Sequence, residues 1–466
     1  MAVVPTRAVV PRLPPELWFY IFGFATDVPG TLIPEVFEQT HLIGQVYNRK
    51  YHPGLRVALV TKRYLVRVCK QWWYLATPYL YRAIYIGRSR CLLSLRSTFQ
   101  KYAKGEGVIA GVQHLGSWTQ RLDVVIRDRP IDDPDADAER LADIIGYLPN
   151  LAIFSSAIAS VAYANTFMPL RVLHALEGIA SPLRVLDWST DGLRPQLPQL
   201  EKLLKQLPHL QILSCPGLAW ANGIIPRDSF SSVSTLGLKW LVKPIGHIDS
   251  VDLPDECVSL REVIFEVGWW AQDPWREFTS HYGRFLVSVQ LRAHDDVHPS
   301  TLATFLDIVN SFCPNLRRIT ISAATFSHIP VNGLSLPPVE YLGLRADARQ
   351  QRRPAYRHLF SVLAILASNA PKLRVVQIID RRNVENLLTS HSKMAVRAFD
   401  HKLAGSVFRV EDHDGYLLSG SFTDTIRKVF TNFVVQRSSK PSENLKLSQE
   451  LRTMSKYSVP TQHNIG

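Results

Sequence analysis

The residues best suited to chemistry are few and scattered. His294 and His298, with Asp295 and Asp296 between them, are the side-chain types of a metal site. A His-x-x-x-His pair converges on a metal when both rings leave one helical face. Pro299 marks this stretch instead as a loop running into a helix. Gly105, Gly107 and Gly111 read Gly-x-Gly-x-x-x-Gly, one residue too long for the loop that cradles a dinucleotide. The five cysteines, at 69, 91, 215, 257 and 313, are odd in number and never spaced Cys-x-x-Cys. That pattern indicates neither a disulfide framework nor a zinc site, and fits buried thiols in a reducing compartment, cytosolic or nuclear. No nucleophile elbow, phosphate loop or His-Glu-x-x-His occurs. The expectation is a chain with no catalytic residue, no metal and no cofactor.

What remains is contact chemistry. Trp269, Trp270 and Trp275 cluster after the apolar run Leu260 to Phe265. Exposed, they would anchor a partner, because Trp and Arg dominate interface hot spots. Buried, they fill a core beneath a long loop. With Trp240 and Arg292 on neighbouring segments, they are the candidate substrate-binding residues.

The elements that would carry them recur. A short apolar template, Leu-x-x-Leu and a further apolar residue, starts at Leu122, Leu151, Leu183, Leu210, Val233, Leu260, Leu286, Leu316, Val339 and Leu373. Four starts share a lead-in with a proline, as in Leu148-Pro149-Asn150-Leu151 and Cys313-Pro314-Asn315-Leu316. The proline ends a helix and the leucine begins a strand. Helical stripes lie between several starts, over Ala136 to Leu148, Leu197 to Leu207, Leu302 to Phe312 and Tyr356 to Ala367. The intervals 210–233, 233–260 and 316–339 show no clear helix. Val407 to Val410 could add an eleventh strand and Thr423 to Val434 a terminal helix.

Strand-then-helix units of this length stack into a parallel sheet with helices outside. The pattern resembles a degenerate leucine-rich repeat array. The asparagine such repeats place after the strand is absent, with Asp191, Leu218 and Ala324 at three of those positions.

The N-terminal region has its own logic. Pro14 and Pro15 suit the first turn of a helix, where a missing N–H costs nothing, and Glu16 faces the positive end of its dipole. Leu17, Tyr20, Ile21 and Phe24 fall at i, i+3, i+4 and i+7, with Trp18, Phe19 and Phe22 beside them. Leu65, Val68, Cys69 and Trp72 repeat the spacing, and Thr77-Pro78 has the form of a third helix start. Short helices this apolar cannot bury their own faces.

Leu-Pro-x-Glu-Leu at Leu13–Leu17, Val-Cys-Lys-x-Trp at Val68–Trp72 and Ala-Thr-Pro-x-Leu-Tyr at Ala76–Tyr81 together resemble an F-box of the fungal type. The resemblance implies that this chain docks a Skp1-type adaptor of a cullin ubiquitin ligase. Its adaptor-facing residues would be Leu13, Pro14, Leu17, Ile21, Leu65, Val68, Cys69 and Trp72. About thirty residues, Asp27 to Val57, separate the first two helices where a compact F-box has a short loop.

The expected fold is therefore α+β to α/β: a three-helix F-box, then an irregular solenoid of parallel strands and outer helices. Its parts are a flexible start at 1–12, the F-box at 13–90 with its insertion at 27–57, repeats at 91–435 and a disordered tail at 436–466. The resemblance implies a substrate receptor that joins the adaptor, and through it a cullin, to a target protein. The alternative is a repeat scaffold whose F-box-like helices are only a cap.

Charge bears on the partner. The net charge is +13. Residues 1–90 hold 12 Lys/Arg against 4 Asp/Glu, which suits an acidic partner such as this family's adaptor. A basic chain can also mark nucleic-acid binding, but the basic residues form no stripe interleaved with aromatics. The cluster Arg345, Arg349, Arg352, Arg353 and Arg357 reads as a solvated face. No apolar run approaches the length of a membrane span.

Overall fold

The computed structural model describes residues 13–28, 30–33, 53–106, 114–126, 136–158, 167–188, 193, 195–216, 232–239, 259–268, 272–293, 297–331, 334–401, 403 and 405–418. The described residues up to Ala324, with those of 334–339, form one compact unit. Thr325–Val331 and the described residues from Glu340 onward form a second.

The first unit opens with three helices. α1 (Pro15–Thr26) starts directly after Pro14, with Glu16 in its first turn. α2 (Pro53–Val68) precedes α3 (Lys70–Arg82). Cys69 breaks the two in extended conformation, and its Sγ accepts the Trp72 N–H at 3.4 Å as an N-cap. The expected helix across Leu65–Trp73 is thus two helices. Thr77-Pro78 starts no third one: Pro78 lies inside α3. A mid-helix proline leaves the carbonyl four residues earlier without its N–H. Here that residue is Tyr74, which stands at the solvent side, and the Thr77 hydroxyl binds the Trp73 carbonyl at 2.5 Å.

α3 runs straight into β1 (Ala83–Ile86), a strand the repeat pattern did not predict. Eight more strands of this unit follow: β2 (Arg121–Val124), β3 (Ile153–Ser156), β4 (Val185–Trp188), β5 (Ile212–Pro216), β6 (Thr235–Lys239), β7 (Glu262–Val267), β8 (Ser288–Ala293) and β9 (Arg318–Ala323). Each pairs with the next, in parallel and in chain order. A parallel sheet in sequential order needs a crossover after every strand. Helices supply several of them: α4 (Ser89–Ala103), α5 (Ala136–Gly146), α6 (Leu170–Gly178), α7 (Leu197–Lys205), α8 (Gln272–Tyr282) and α9 (Pro299–Phe312). α4, α6 and α8 lie outside the helical stripes read from the sequence.

Register sorts the strand residues into two faces. Leu122, Phe154, Leu186, Leu213, Leu236, Val263, Val289 and Ile319 are aligned and buried. This face meets the helices: Phe265, two residues beyond Val263, stacks on Trp275 of α8 and tilts against Phe305 of α9. The other face carries polar residues at aligned positions, Asp123, Ser155, Asp187 and Ser214. Beside them sits a small apolar cluster of Ile153, Val185, Ile212 and Ile264.

The second unit holds β10 (Tyr341–Ala346), α10 (Arg353–Asn369), β11 (Val375–Ile378), α11 (Arg381–Leu388), α12 (Ser392–His401) and β12 (Arg409–Glu411). Its three strands are again parallel neighbours in chain order. Asn383 ties it together, accepting from the Tyr356 hydroxyl at 3.0 Å and donating to the Ala346 carbonyl at 2.8 Å. Burial raises the Tyr356 pKa to about 12.

The α/β solenoid plan therefore holds for the described residues, and the strand at 407–410 is β12. Between Leu316 and Val339 the only helical element among the described residues is a 3-10 turn, Phe326–His328, after β9. The start at 1–12, most of the 27–57 insertion, the helix expected at Thr423–Val434 and the tail at 436–466 lie outside the described residues.

Candidate docking surface

The three N-terminal helices enclose a small core of their own. Phe22, Leu75 and Ala76 are buried in it, and Trp18, Leu65, Val66, Trp72 and Tyr79 pack around them. Trp72 tilts against Trp18 with ring centroids 4.8 Å apart and meets Phe22 edge-on at 5.0 Å. Tyr79 donates its hydroxyl to the Phe19 carbonyl at 2.7 Å, fixing α1 against α3.

That core leaves one stripe of α1 without a cover. Leu17 is 46 % exposed, Ile21 43 %, Tyr20 69 % and Phe24 89 %. α2 has a matching stripe at helical spacing, Val57, Val60, Tyr64 and Val68, all exposed. Large apolar side chains exposed in rows on a folded module make these faces the candidate docking surface. The same helical module carries the exposed cations Arg63, Arg67, Lys70 and Arg82.

The predicted adaptor-facing residues divide accordingly. Leu17, Ile21 and Val68 are exposed in the stripes. Pro14 and Cys69 are exposed at the starts of α1 and α3, and Leu13 is half-buried. Leu65 and Trp72 are half-buried and lean on the three-helix core. Sequence reading missed Tyr20 and Phe24 as docking candidates, and the Val57, Val60, Tyr64 stripe altogether. The spacing signal for that stripe was present, and only the late placement of the second helix start hid it.

α1 and the turn after it, α2, the end of α3 and the start of β1 line a cavity of about 350 Å³. Tyr20 and Phe24 form part of both the cavity wall and the α1 stripe. Lys62 of α2 and Arg82 of α3 bring two cations to it and Asp27 one carboxylate. Burial lowers the Lys62 pKa, with Asp27 working in the opposite direction. Burial also raises the pKa of Tyr79. Thr31, in the same wall, lends its carbonyl to Arg121 at 2.8 Å, and Arg121 pairs with Asp123 through two hydrogen bonds of 2.7 and 2.9 Å.

The candidate substrate residues are not brought together. Trp240, Trp269 and Trp270 lie outside the described residues. Trp275 is fully buried, stacked on Phe265 and Phe278. Of its two readings the core one holds, because a ring with no exposed area offers a partner nothing. Arg292 stands on the polar sheet face, aligned between Glu266 and Ser322. Its charge acts on Asp187, whose pKa burial holds above the usual value.

The metal-type residues resolve in part. His298 is the N-cap of α9, where its Nδ1 accepts the Ser300 N–H at 3.3 Å. His294, Asp295 and Asp296 lie outside the described residues. Among the described residues no group of three or more His, Cys, Asp or Glu is placed to hold a metal, and no helix is long and apolar enough to cross a membrane. Compared with known proteins, the chain matches no family model and no curated relative.

Proposed function

We propose that this chain is the substrate-recognition subunit of a Skp1–cullin–F-box type ubiquitin ligase. The observation that carries the reading is the exposure of Leu17, Ile21 and Val68 on a helical module whose core, around Phe22, is closed without them. A cap would bury these residues against the first strands. A docking module keeps them outside, as here. The exposed basic residues of the same helices suit an acidic adaptor.

In this reading the helices hold the adaptor and the repeats hold a target protein. The chain contributes proximity, since a tethered target meets the ubiquitin-charged enzyme at a raised effective concentration. Bond making belongs to other subunits, in the cytosol or nucleus.

One observation favours a second reading, a repeat scaffold with a helical cap. α3 continues into β1, and the Arg82 carbonyl accepts the Gln120 N–H at 3.0 Å at the start of the ladder. The helical module is therefore joined directly to the first strand of the sheet. Capping uses the end of α3, however, and leaves the α1 and α2 stripes free for docking. Size-exclusion chromatography of the full chain mixed with a purified Skp1-type adaptor separates the readings. Co-elution supports the receptor; independent elution at micromolar concentration supports the scaffold.

A further inference from the structure

We infer that the cavity beside α1 receives the carboxylate of an acidic side chain on the protein docked against the α1 and α2 stripes, with Lys62 as its counter-ion. The inference rests on reading those stripes as a docking face.

Lys62 is 7 % exposed. Its Nζ is not among the fully buried polar atoms: the stem is buried while the ammonium opens onto the cavity, where it forms no hydrogen bond or ion pair among the described residues. Asp27 lines the same cavity without forming an ion pair with it. Arg82 adds a second cation, so these three groups leave the cavity one positive charge in excess. An anion entering the cavity would meet that excess.

The walls say what carries it. Phe19, Tyr20, Phe24 and Tyr79 present rings and Leu32 an aliphatic chain, which suits the methylene stem of a Glu or Asp. The mouth says where it comes from. Tyr20 and Phe24 are the two most exposed residues of the α1 stripe and also line the cavity. A protein resting on that stripe therefore sits over the opening. Charge sign, apolar walls and a shared rim all favour an acidic side chain set among apolar ones.

The test uses the full chain and a purified Skp1-type adaptor, titrated calorimetrically. Lys62→Met keeps the stem and removes the charge. The expected result is a loss of adaptor affinity of tenfold or more, while the variant alone melts at or above the parent. In a double-mutant cycle, one Glu→Gln or Asp→Asn change on the adaptor should weaken binding to the parent and leave binding to Lys62→Met unchanged.

Several results would overturn the inference. If Lys62→Met binds within twofold of the parent while Leu17→Asp does not bind, the docking face stands and the cavity plays no part in it. A variant that melts several degrees lower on its own assigns Lys62 to the fold. Benzoate that raises the melting temperature of the parent but not of Lys62→Met, with adaptor affinity unchanged, assigns the cavity to a free acid. Failure of the parent itself to bind removes both the inference and the reading beneath it.

Discussion

Asn150 donates from Nδ2 to the main-chain carbonyl of Ser117, 2.6 Å away and one repeat earlier. Asn315 makes the same bond to the Arg284 carbonyl at 2.7 Å. In both places a glycine, Gly116 or Gly283, directly precedes the acceptor. A Cβ at either glycine would collide with a carbonyl three residues before the asparagine, that of Tyr147 or Phe312. Two distant repeats thus share one fastening: a glycine for close approach and an asparagine to satisfy the exposed carbonyl.

Gly116→Ala should destabilise the chain by about 1–3 kcal/mol, the usual range for forced overpacking. Asn150→Ala should cost about 1 kcal/mol, the net worth of one hydrogen bond. Urea unfolding checks both. A Gly116→Ala midpoint equal to the parent's would mean that the backbone at 116 relaxes freely.

Trp275→Ala should cost about 3–5 kcal/mol, as large-to-small changes of buried aromatics do. Phe265 would lose its stacking partner at 4.2 Å. Partner binding by the surviving folded fraction should be unchanged, because the ring never reaches a surface. Stability near that of the parent would contradict the packing described here.

Asp187 gives a pH dependence. Burial raises its pKa above 3.8, Ser155 and Ser214 hydrogen bonds lower it, Asp123 raises it and Arg292 lowers it. Burial dominates, so the folded state binds the proton more tightly than the unfolded state. The group therefore favours folding below the unfolded pKa, and that contribution is lost as pH rises through the folded one. Asp187→Asn should raise the melting temperature at pH 7 and converge on the parent below about pH 4. The Asn oxygen can still accept from Ser155, which donates to Asp187 at 2.7 Å. A variant less stable at pH 7 would show that the Arg292 charge outweighs burial.

The repeat was legible because its signal is periodic. From Leu122 to Leu373, every template start lies within two residues of a strand start, β2 through β11. Burial of one strand face imposes the same apolar spacing at each repeat, and repetition lifts it above chance. β1 lacks that lead-in and follows a helix directly, so Ala83–Ile86 carried no sign of a strand. α8 was hidden because Trp275 was grouped with Trp269 and Trp270 as an aromatic cluster rather than with Phe278 and Tyr282 as one helical face. The exposed apolar stripes were half legible. The spacing of Leu17 and Ile21 shows a helical face, but only packing decides whether such a face turns inward, as Phe22 does, or outward, as Tyr20 does. Lys62 was invisible, since the sequence gives a lysine no sign of burial.

The proposed docking of a Skp1-type adaptor on the exposed α1 and α2 stripes has one decisive measurement. It is tested most directly by calorimetric titration of the adaptor into the full chain and into a Leu17→Asp/Val68→Asp variant. Both positions are exposed, so the variant should keep the parent's circular dichroism and melting temperature within about 0.5 kcal/mol of stability per site. The expected result is a saturable one-to-one complex for the parent and a loss of at least a hundredfold in affinity for the variant. Equal binding by the two proteins, or none by the parent, would contradict it.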